Sequence, residues 1–234
     1  MCYAISIIFQ ELVPIKRICY IVAACKENSE KFYINPSQND FVIAADGGYD
    51  ILKTKNIIPD VIIGDFDSLE SELPSENVIK HPVEKDDTDT FLALKLGFER
   101  GFNNFVLFGG VGGRIDHTIA NIQALLWVAK RGGRAFLIGN DTIMTVISDS
   151  NLSFSADFKG KISVFAQENT ARGVKISGLK YTAENIELSP EFPLGVSNEF
   201  VGERAEISVN KGFLLIVWKQ ENKYFIDKAN DFLI

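Results

Sequence analysis

Apolar residues fall in two rhythms along this chain, and the rhythm changes near residue 141. Before that point, short β-rich runs at 18–24, 41–45, 61–64, 77–80, 105–108 and 134–138 read as strands. Between several of them, residues 49–55, 90–100 and 117–131 read as helices. In the last of these, Ile119, Ile122, Leu125, Leu126 and Ala129 recur at helical spacing. Strands alternating with helices imply a mostly parallel sheet with helices on its faces. The expected fold for residues 1–141 is therefore an α/β domain of Rossmann-like α/β/α layering. Past residue 141, runs at 142–147, 161–166, 173–176, 203–209 and 213–218 read as short strands punctuated by glycine, asparagine and proline. Ala205, Ile207 and Val209 alternate with Glu206 and Ser208, as a half-buried strand requires. No helical pattern is visible there, so residues 142–234 are expected to form an all-β sandwich domain.

Composition narrows the function classes. A 234-residue chain with 46% hydrophobic residues can bury a large core without disulfides or a structural metal. A formal charge of -7 repels nucleic-acid backbones, so no nucleic-acid partner is expected. Cys2, Cys19 and Cys25 fit no zinc spacing and read as buried thiols in a reducing cytoplasm. Two histidines, His81 and His117, exclude a multi-histidine zinc site, and no Gly-x-Ser-x-Gly elbow marks a hydrolase. The apolar residues 3–9 and the run after Lys16-Arg17 are too short for a signal core, and no run approaches the roughly 20 residues of a membrane span.

Candidate chemistry collects where predicted strands end, which is where open parallel sheets bind ligands. Residues 41–45 run into Asp46-Gly47-Gly48, 61–64 into Asp65-Phe66-Asp67-Ser68, and 105–108 into a glycine-rich stretch from Gly109 to Gly113 with Arg114, Asp116 and His117 behind it. Asp65 and Asp67 point the same way if the backbone is extended, and such a pair suits magnesium. A turn closed by Asp65 or capped by Ser68 is the alternative. Lys85-Asp86-Asp87-Thr88-Asp89 precedes a helix; one or two of these residues serve as caps, and Asp86 or Asp89 is left for a metal, with Lys85 for a phosphate. Glycines 109–113 let backbone N–H groups approach a phosphate, although no Walker ending is present. Arg114 adds a two-pronged phosphate donor, against the alternative of a surface ion pair with Asp116.

Taken together these stretches resemble the thiamine pyrophosphokinase family. The resemblance rests on Ala45-Asp46-Gly47-Gly48, the run from Pro59 to Ser68, Asp86-Asp87-Thr88-Asp89, the run from Gly109 to His117 with Asn121, and, in the β-rich part, Gly178-Leu179-Lys180-Tyr181 and Val196-Ser197-Asn198-Glu199. It covers about residues 41–218 with every motif in order; Glu84 stands where the family usually has Asp, which keeps the charge. The resemblance implies a catalytic α/β domain that binds ATP and Mg2+, a β-sandwich that binds thiamine and dimerises, and a homodimer with active sites between subunits. It implies Asp65, Asp67 and Asp89 as metal ligands and Asp67, Asp89 and Arg114 as catalytic residues. Asp46, Thr88, Asp89, Arg114 and Asp116 fall on the nucleotide and metal side, and Ser197 and Asn198 on the thiamine side.

The activity implied is transfer of the β,γ-diphosphate of ATP to the hydroxyl of thiamine, giving thiamine diphosphate and AMP. Asp67 and Asp89 are both candidate bases, and the sequence does not choose between them. Two alternatives use the same acidic rim: a diphosphokinase acting on another hydroxymethyl heterocycle such as a pterin, and a non-catalytic nucleotide- or thiamine-binding regulator. The β-domain motifs favour thiamine over the first, and the intact acids argue against the second.

Overall fold

Six strands rich in Ile, Val and Phe, all but the edge strand β4 largely buried on both faces, pair in parallel: β1 (Ile18–Ala23), β2 (Phe41–Ala45), β3 (Val61–Gly64), β4 (Val78–Lys80), β5 (Asn104–Phe108) and β6 (Arg134–Ile138). Their spatial order is β4-β3-β2-β1-β5-β6. This is seen in a computed structural model that describes residues 16–24, 32–67, 69, 71–82 and 87–233. Residues 3–9, Cys2, Cys25, Ser68, Glu84, Lys85 and Asp86 lie outside the described residues.

The alternation of side chains along β1 feeds two cores. Ile18, Tyr20 and Val22 enter one, where α1 (Gly48–Thr54) adds Ile51 and Leu52. Cys19 and Ile21 enter the other, under α2 (Asp89–Glu99) and α3 (Ile115–Ala129). Burial pushes the Cys19 thiol well above its ordinary range, so it is inert packing. Loop carboxylates fix the strand starts: the Ile18 N–H donates to Asp40 at 2.7 Å and the Val42 N–H to Asp60 at 2.8 Å. On α3 the periodic apolar face is narrower than the sequence suggests, because Ile119 is 53% exposed.

The hydrogen-bonded sheet does not stop at residue 141. After it come β7 (Thr142–Ser148), β8 (Asn151–Phe154), β9 (Lys161–Ser177), β10 (Ala183–Leu188), β11 (Asn198–Glu199), β12 (Ala205–Ser208) and β13 (Lys211–Lys219). β7 pairs antiparallel with β6, β13 with β7, and β9 with β13, so the sheet is mixed and the molecule is largely β with few helices. The far half of β9 leaves to pair with β12 and β10, carrying the chain into a second layer. The strands expected at 161–166 and 173–176 are thus one continuous strand. Polar residues 167–170, with Glu168 at φ 64° and Gly173 at φ 64°, interrupt its alternation and hide its continuity from the sequence.

The absence of helix after residue 141 is corrected as well. Residues Asn222–Asp227 form α4, followed by a 3-10 turn at Ala229–Asp231. Six residues are too few to show a helical period. Phe225 and Phe232 from this segment pack with Phe136, Phe154 and Trp218 in an aromatic core, with Phe154 5.3 Å from Trp218 between ring centroids. No helix among the described residues is long and apolar enough to cross a membrane.

The terminal helix is pinned by Asp157, which accepts hydrogen bonds from Lys228, Ser155 and Tyr224. The Lys228 ammonium, ahead of the Ser155 and Tyr224 hydroxyls, holds the Asp157 carboxyl well below the usual carboxylate range. A carboxyl that is more acidic folded than unfolded stabilises fully above its ordinary pKa of about 3.9 and loses that contribution as pH falls below it. Asp157→Asn is therefore expected to flatten the acid limb of stability, followed by thermal melting from about pH 6 down to about pH 2. An acid limb as steep as the wild type's would refute the assignment.

Candidate functional site

The chain leaves β1 toward β2, β3 and β4, then returns to place β5 on the other edge of β1. This reversal opens a crevice at the carboxyl ends of β1 and β5, the usual ligand position in open α/β sheets. A cavity of about 430 Å³ occupies it. Ala23 and Ala24 follow β1, Asp46 follows β2, and Gly109, Gly110, Gly112 and Gly113 follow β5. Thr88, Asp89 and Thr90 come from the start of α2, and Arg114, His117 and Asn121 from α3.

Each wall has a local cause. Gly48 can only be glycine, since a Cβ there would lie 1.8 Å from the Val22 carbonyl oxygen. That close approach lets α1 start directly behind β2 and holds Asp46 at the rim. Thr88 caps α2, its Oγ1 accepting from the Phe91 N–H at 3.2 Å, and Asp89 occupies the first turn. Gly109, Gly112 and Gly113 have φ of 76°, 97° and 60°, a region that other residues enter at a cost. These turns deliver Arg114 as the residue preceding α3. Two helix N-termini therefore face one cavity, and both favour anionic groups there.

Arg114 is exposed and engaged. Its Nε and an Nη donate to the two Asp116 oxygens at 3.2 and 2.5 Å. The hydrogen bond from Arg114 holds the Asp116 carboxyl below its usual range, and Asp116 in turn holds the guanidinium above its own. The ion pair anticipated as an alternative is thus present, and the same guanidinium lines the cavity.

Asp65 and Asp67 do not form an extended pair. Phe66 lies at φ 67°, and the Asp67 N–H donates to Asp65 Oδ1 at 3.2 Å, closing an Asx turn. The expectation that both side chains point one way on an extended backbone is corrected by that turn. Asp46 and Asp65 still follow neighbouring strand ends: β2 and β3 are paired, the Asp46 N–H donates to the Ile63 carbonyl at 2.8 Å, and Asp65 comes directly after β3. Neither Asp65 nor Asp67 is among the described residues lining the cavity. Also among the described residues, no three His, Cys, Asp or Glu side chains converge on a point that would hold a metal ion.

Ser197 and Asn198 stand apart from the cavity lining. Ser197 lies at φ 63° with its N–H on Ser163 Oγ at 3.0 Å. Asn198 is 6% exposed, and its amide makes three hydrogen bonds. Oδ1 accepts from the N–H groups of Tyr181 and Glu199, each at 2.9 Å, and Nδ2 donates to the Tyr181 carbonyl at 2.7 Å. The two β-rich motifs read in the sequence are therefore adjacent segments, joined by a single bridge between Leu179 and Phe200, and Asn198 locks them together while Tyr181 is exposed.

Comparison with known proteins decides the family. Residues 35–137 match the thiamin pyrophosphokinase catalytic domain, and residues 149–214 match the thiamin pyrophosphokinase vitamin B1 binding domain. A thiamine pyrophosphokinase of Bacillus subtilis is 30% identical over 184 residues, spanning 75% of this chain and 85% of that protein. The chain belongs to the thiamine pyrophosphokinase family. Thiamin pyrophosphokinase 1 of Caenorhabditis elegans is 24% identical over 201 residues, covering 79% of this chain and 82% of that one. The crystal structure of a Bacillus subtilis thiamine pyrophosphokinase superposes with a TM-score of 0.76 at 26% identity, covering 88% of this chain and 99% of that one.

Within this thiamine pyrophosphokinase family member, the structure brings Asp46, Thr88, Asp89 and Arg114 to one cavity and ties Asp116 to Arg114. It adds Ala23 and Ala24, which carry no chemical signal in sequence, because an alanine has no polar side chain to mark a site. Asn198→Ala should cost about 1–3 kcal/mol by stranding its buried partners, measured by urea unfolding. Stability equal to wild type would mean the lock between residues 181 and 198 carries nothing.

Proposed function

We propose that this chain transfers the β,γ-diphosphate of ATP to the primary hydroxyl of thiamine, releasing AMP. Family membership makes it an enzyme of the thiamine pyrophosphokinase type. The observation that supports the chemistry is the convergence of two helix N-termini, a glycine-rich wall and the acids Asp46 and Asp89 on one cavity. Donor-rich walls suit a polyphosphate, and carboxylates beside them suit its counter-cation. Both family matches carry thiamin in their description, so the pterin and regulator readings are not favoured.

The donor set fits magnesium. It is all oxygen, and magnesium takes one or two carboxylates, completing its shell with water and phosphate. A closed cage of three acids is therefore not needed. Asp65, Asp67 and Asp89 would hold the ion, one or two of them directly and the rest through its water shell, with Asp46 on the same rim. When bound, it supplies charge neutralisation on the phosphate oxygens. The thiamine oxygen forms a bond to the β-phosphorus as the bond from that phosphorus to the α–β bridging oxygen breaks and leaves with AMP. Arg114 neutralises charge gathering on the leaving phosphate. Asp67 or Asp89 accepts the hydroxyl proton.

The same reading divides the chain into a nucleotide-binding α/β unit of Rossmann-like layering over 1–141 and a thiamine-binding, dimerising β-sandwich over 142–234. It also places the site between two copies. No described residue after 141 lines the cavity, so Ser197 and Asn198 would reach it from a partner subunit. Exposed apolar residues suit such a contact: Ile115 and Ile119 stand on α3 near the cavity, and Tyr181, Phe192, Leu194 and Val196 lie near Asn198 in sequence or pairing.

Incubation with ATP, magnesium and thiamine should yield AMP and thiamine diphosphate in equal amounts by chromatography. ADP instead would mean a monophosphoryl kinase. Asp89→Asn and Asp67→Asn should each reduce turnover by about a hundredfold or more while melting near the wild-type temperature. Wild-type rates in Asp67→Asn would remove that exposed carboxylate from the site.

A further inference from the structure

The glycine-rich wall contains an interlock that the proposed chemistry leaves unused. Asn121 lies within α3 and is 5% exposed, yet it lines the cavity. Its Nδ2 donates to the Gly110 carbonyl oxygen at 3.0 Å. A carbonyl can only accept, so the amide orientation is fixed by chemistry. Gly110 is buried there without room for a side chain, since a Cβ would meet Leu137 Cδ1 at 2.6 Å and Asn121 Nδ2 at 2.7 Å. Glycine at 110 and asparagine at 121 are one fitted pair.

A wall that receives a polyanion must present donors, and an acceptor carbonyl turned toward it would repel the ligand. Two carbonyls of this stretch are instead turned toward the helix. The Gly110 oxygen accepts from Asn121, and the Arg114 oxygen accepts from Thr118 Oγ1 at 3.4 Å. We propose that Asn121 is a positioning residue for the nucleotide: by holding the Gly110 carbonyl it keeps that acceptor off the polyphosphate and fixes the loop that carries Arg114. This rests on the reading of the cavity as an ATP site.

The test uses the full chain and ATP with magnesium, with affinity read by calorimetry. Asn121→Asp offers a carboxylate that cannot donate to Gly110, and should weaken ATP binding about tenfold or more at pH near 8. A carboxyl buried this deeply has a raised pKa, so lowering the pH to about 5.5 should protonate it, restore a donor and recover affinity relative to wild type at the same pH. Among the described residues, the other titratable and charged groups on this cavity are Asp46 after β2, Asp89 on α2, and Arg114 and His117 at the start of α3. All are shared with wild type, whose pH profile is the control. Asn121→Leu, similar in size, should lose affinity at every pH without recovery. The KM for thiamine should stay within about twofold, since the interlock touches only the nucleotide side. A lowered melting temperature with unchanged ATP affinity in both variants would reduce Asn121 to core packing and overturn the proposal. Wild-type protein that binds no ATP would instead overturn the underlying reading of the cavity, and this proposal with it.

Discussion

Everything in the site follows from the position of β1. It has parallel neighbours on both edges, β2 on one and β5 on the other, and the chain must reverse its direction of travel across the sheet to supply both. The connections leaving β1 and β5 therefore diverge to opposite sides, and the carboxyl ends of these two strands cannot be roofed by a single crossover. The resulting gap is filled from outside by the starts of α2 and α3. The first N–H groups of a helix have no intrahelical carbonyl partner, so both helix starts bring donor character to the gap, although the Thr88 side chain already takes the Phe91 N–H.

Structural necessity and chemistry coincide on the same residues. Gly48 is demanded by the Val22 carbonyl and Gly110 by Leu137 and Asn121, so neither glycine needs a phosphate to explain it. Thr88 serves α2 as a cap while lining the cavity. Residues that build the wall are therefore held by packing and hydrogen bonds independent of any ligand, which is the preorganisation that electrostatic catalysis requires.

The sequence makes the parallel half legible because its central strands are buried on both faces and read as apolar runs, such as Phe41–Ala45 and the four residues after Arg134 in β6. It is less informative where one strand serves two layers. β9 changes pairing partners midway, and its bulged polar stretch looks like a loop between two short strands. β11 is two residues long and is recognisable only through Asn198, whose amide copies a strand's hydrogen bonds to residue 181. The rim acids were legible as a group for a topological reason: parallel strands of like direction end on one side. Their individual geometry was not, because the left-handed backbone at Phe66 leaves no trace in an Asp-Phe-Asp sequence.

That turn alters the argument for the acidic rim. An extended Asp65-Asp67 pair would bring two carboxylates together and call for a cation by itself. The observed Asx turn uses Asp65 Oδ1 on the Asp67 N–H and removes that demand. The need for cations arises instead from the cavity as a whole. Asp46 and Asp89 face the place where a polyphosphate would lie, and among the described lining residues Arg114 is the only Lys or Arg, already paired with Asp116. Carboxylates and a polyphosphate sharing one cleft repel unless positive charge stands between them. On the proposed reading the nucleotide must arrive with its own counter-cation, and a thiazolium ring approaching the same acids meets attraction rather than repulsion. The acidic rim thus selects both substrates by the charge that each carries.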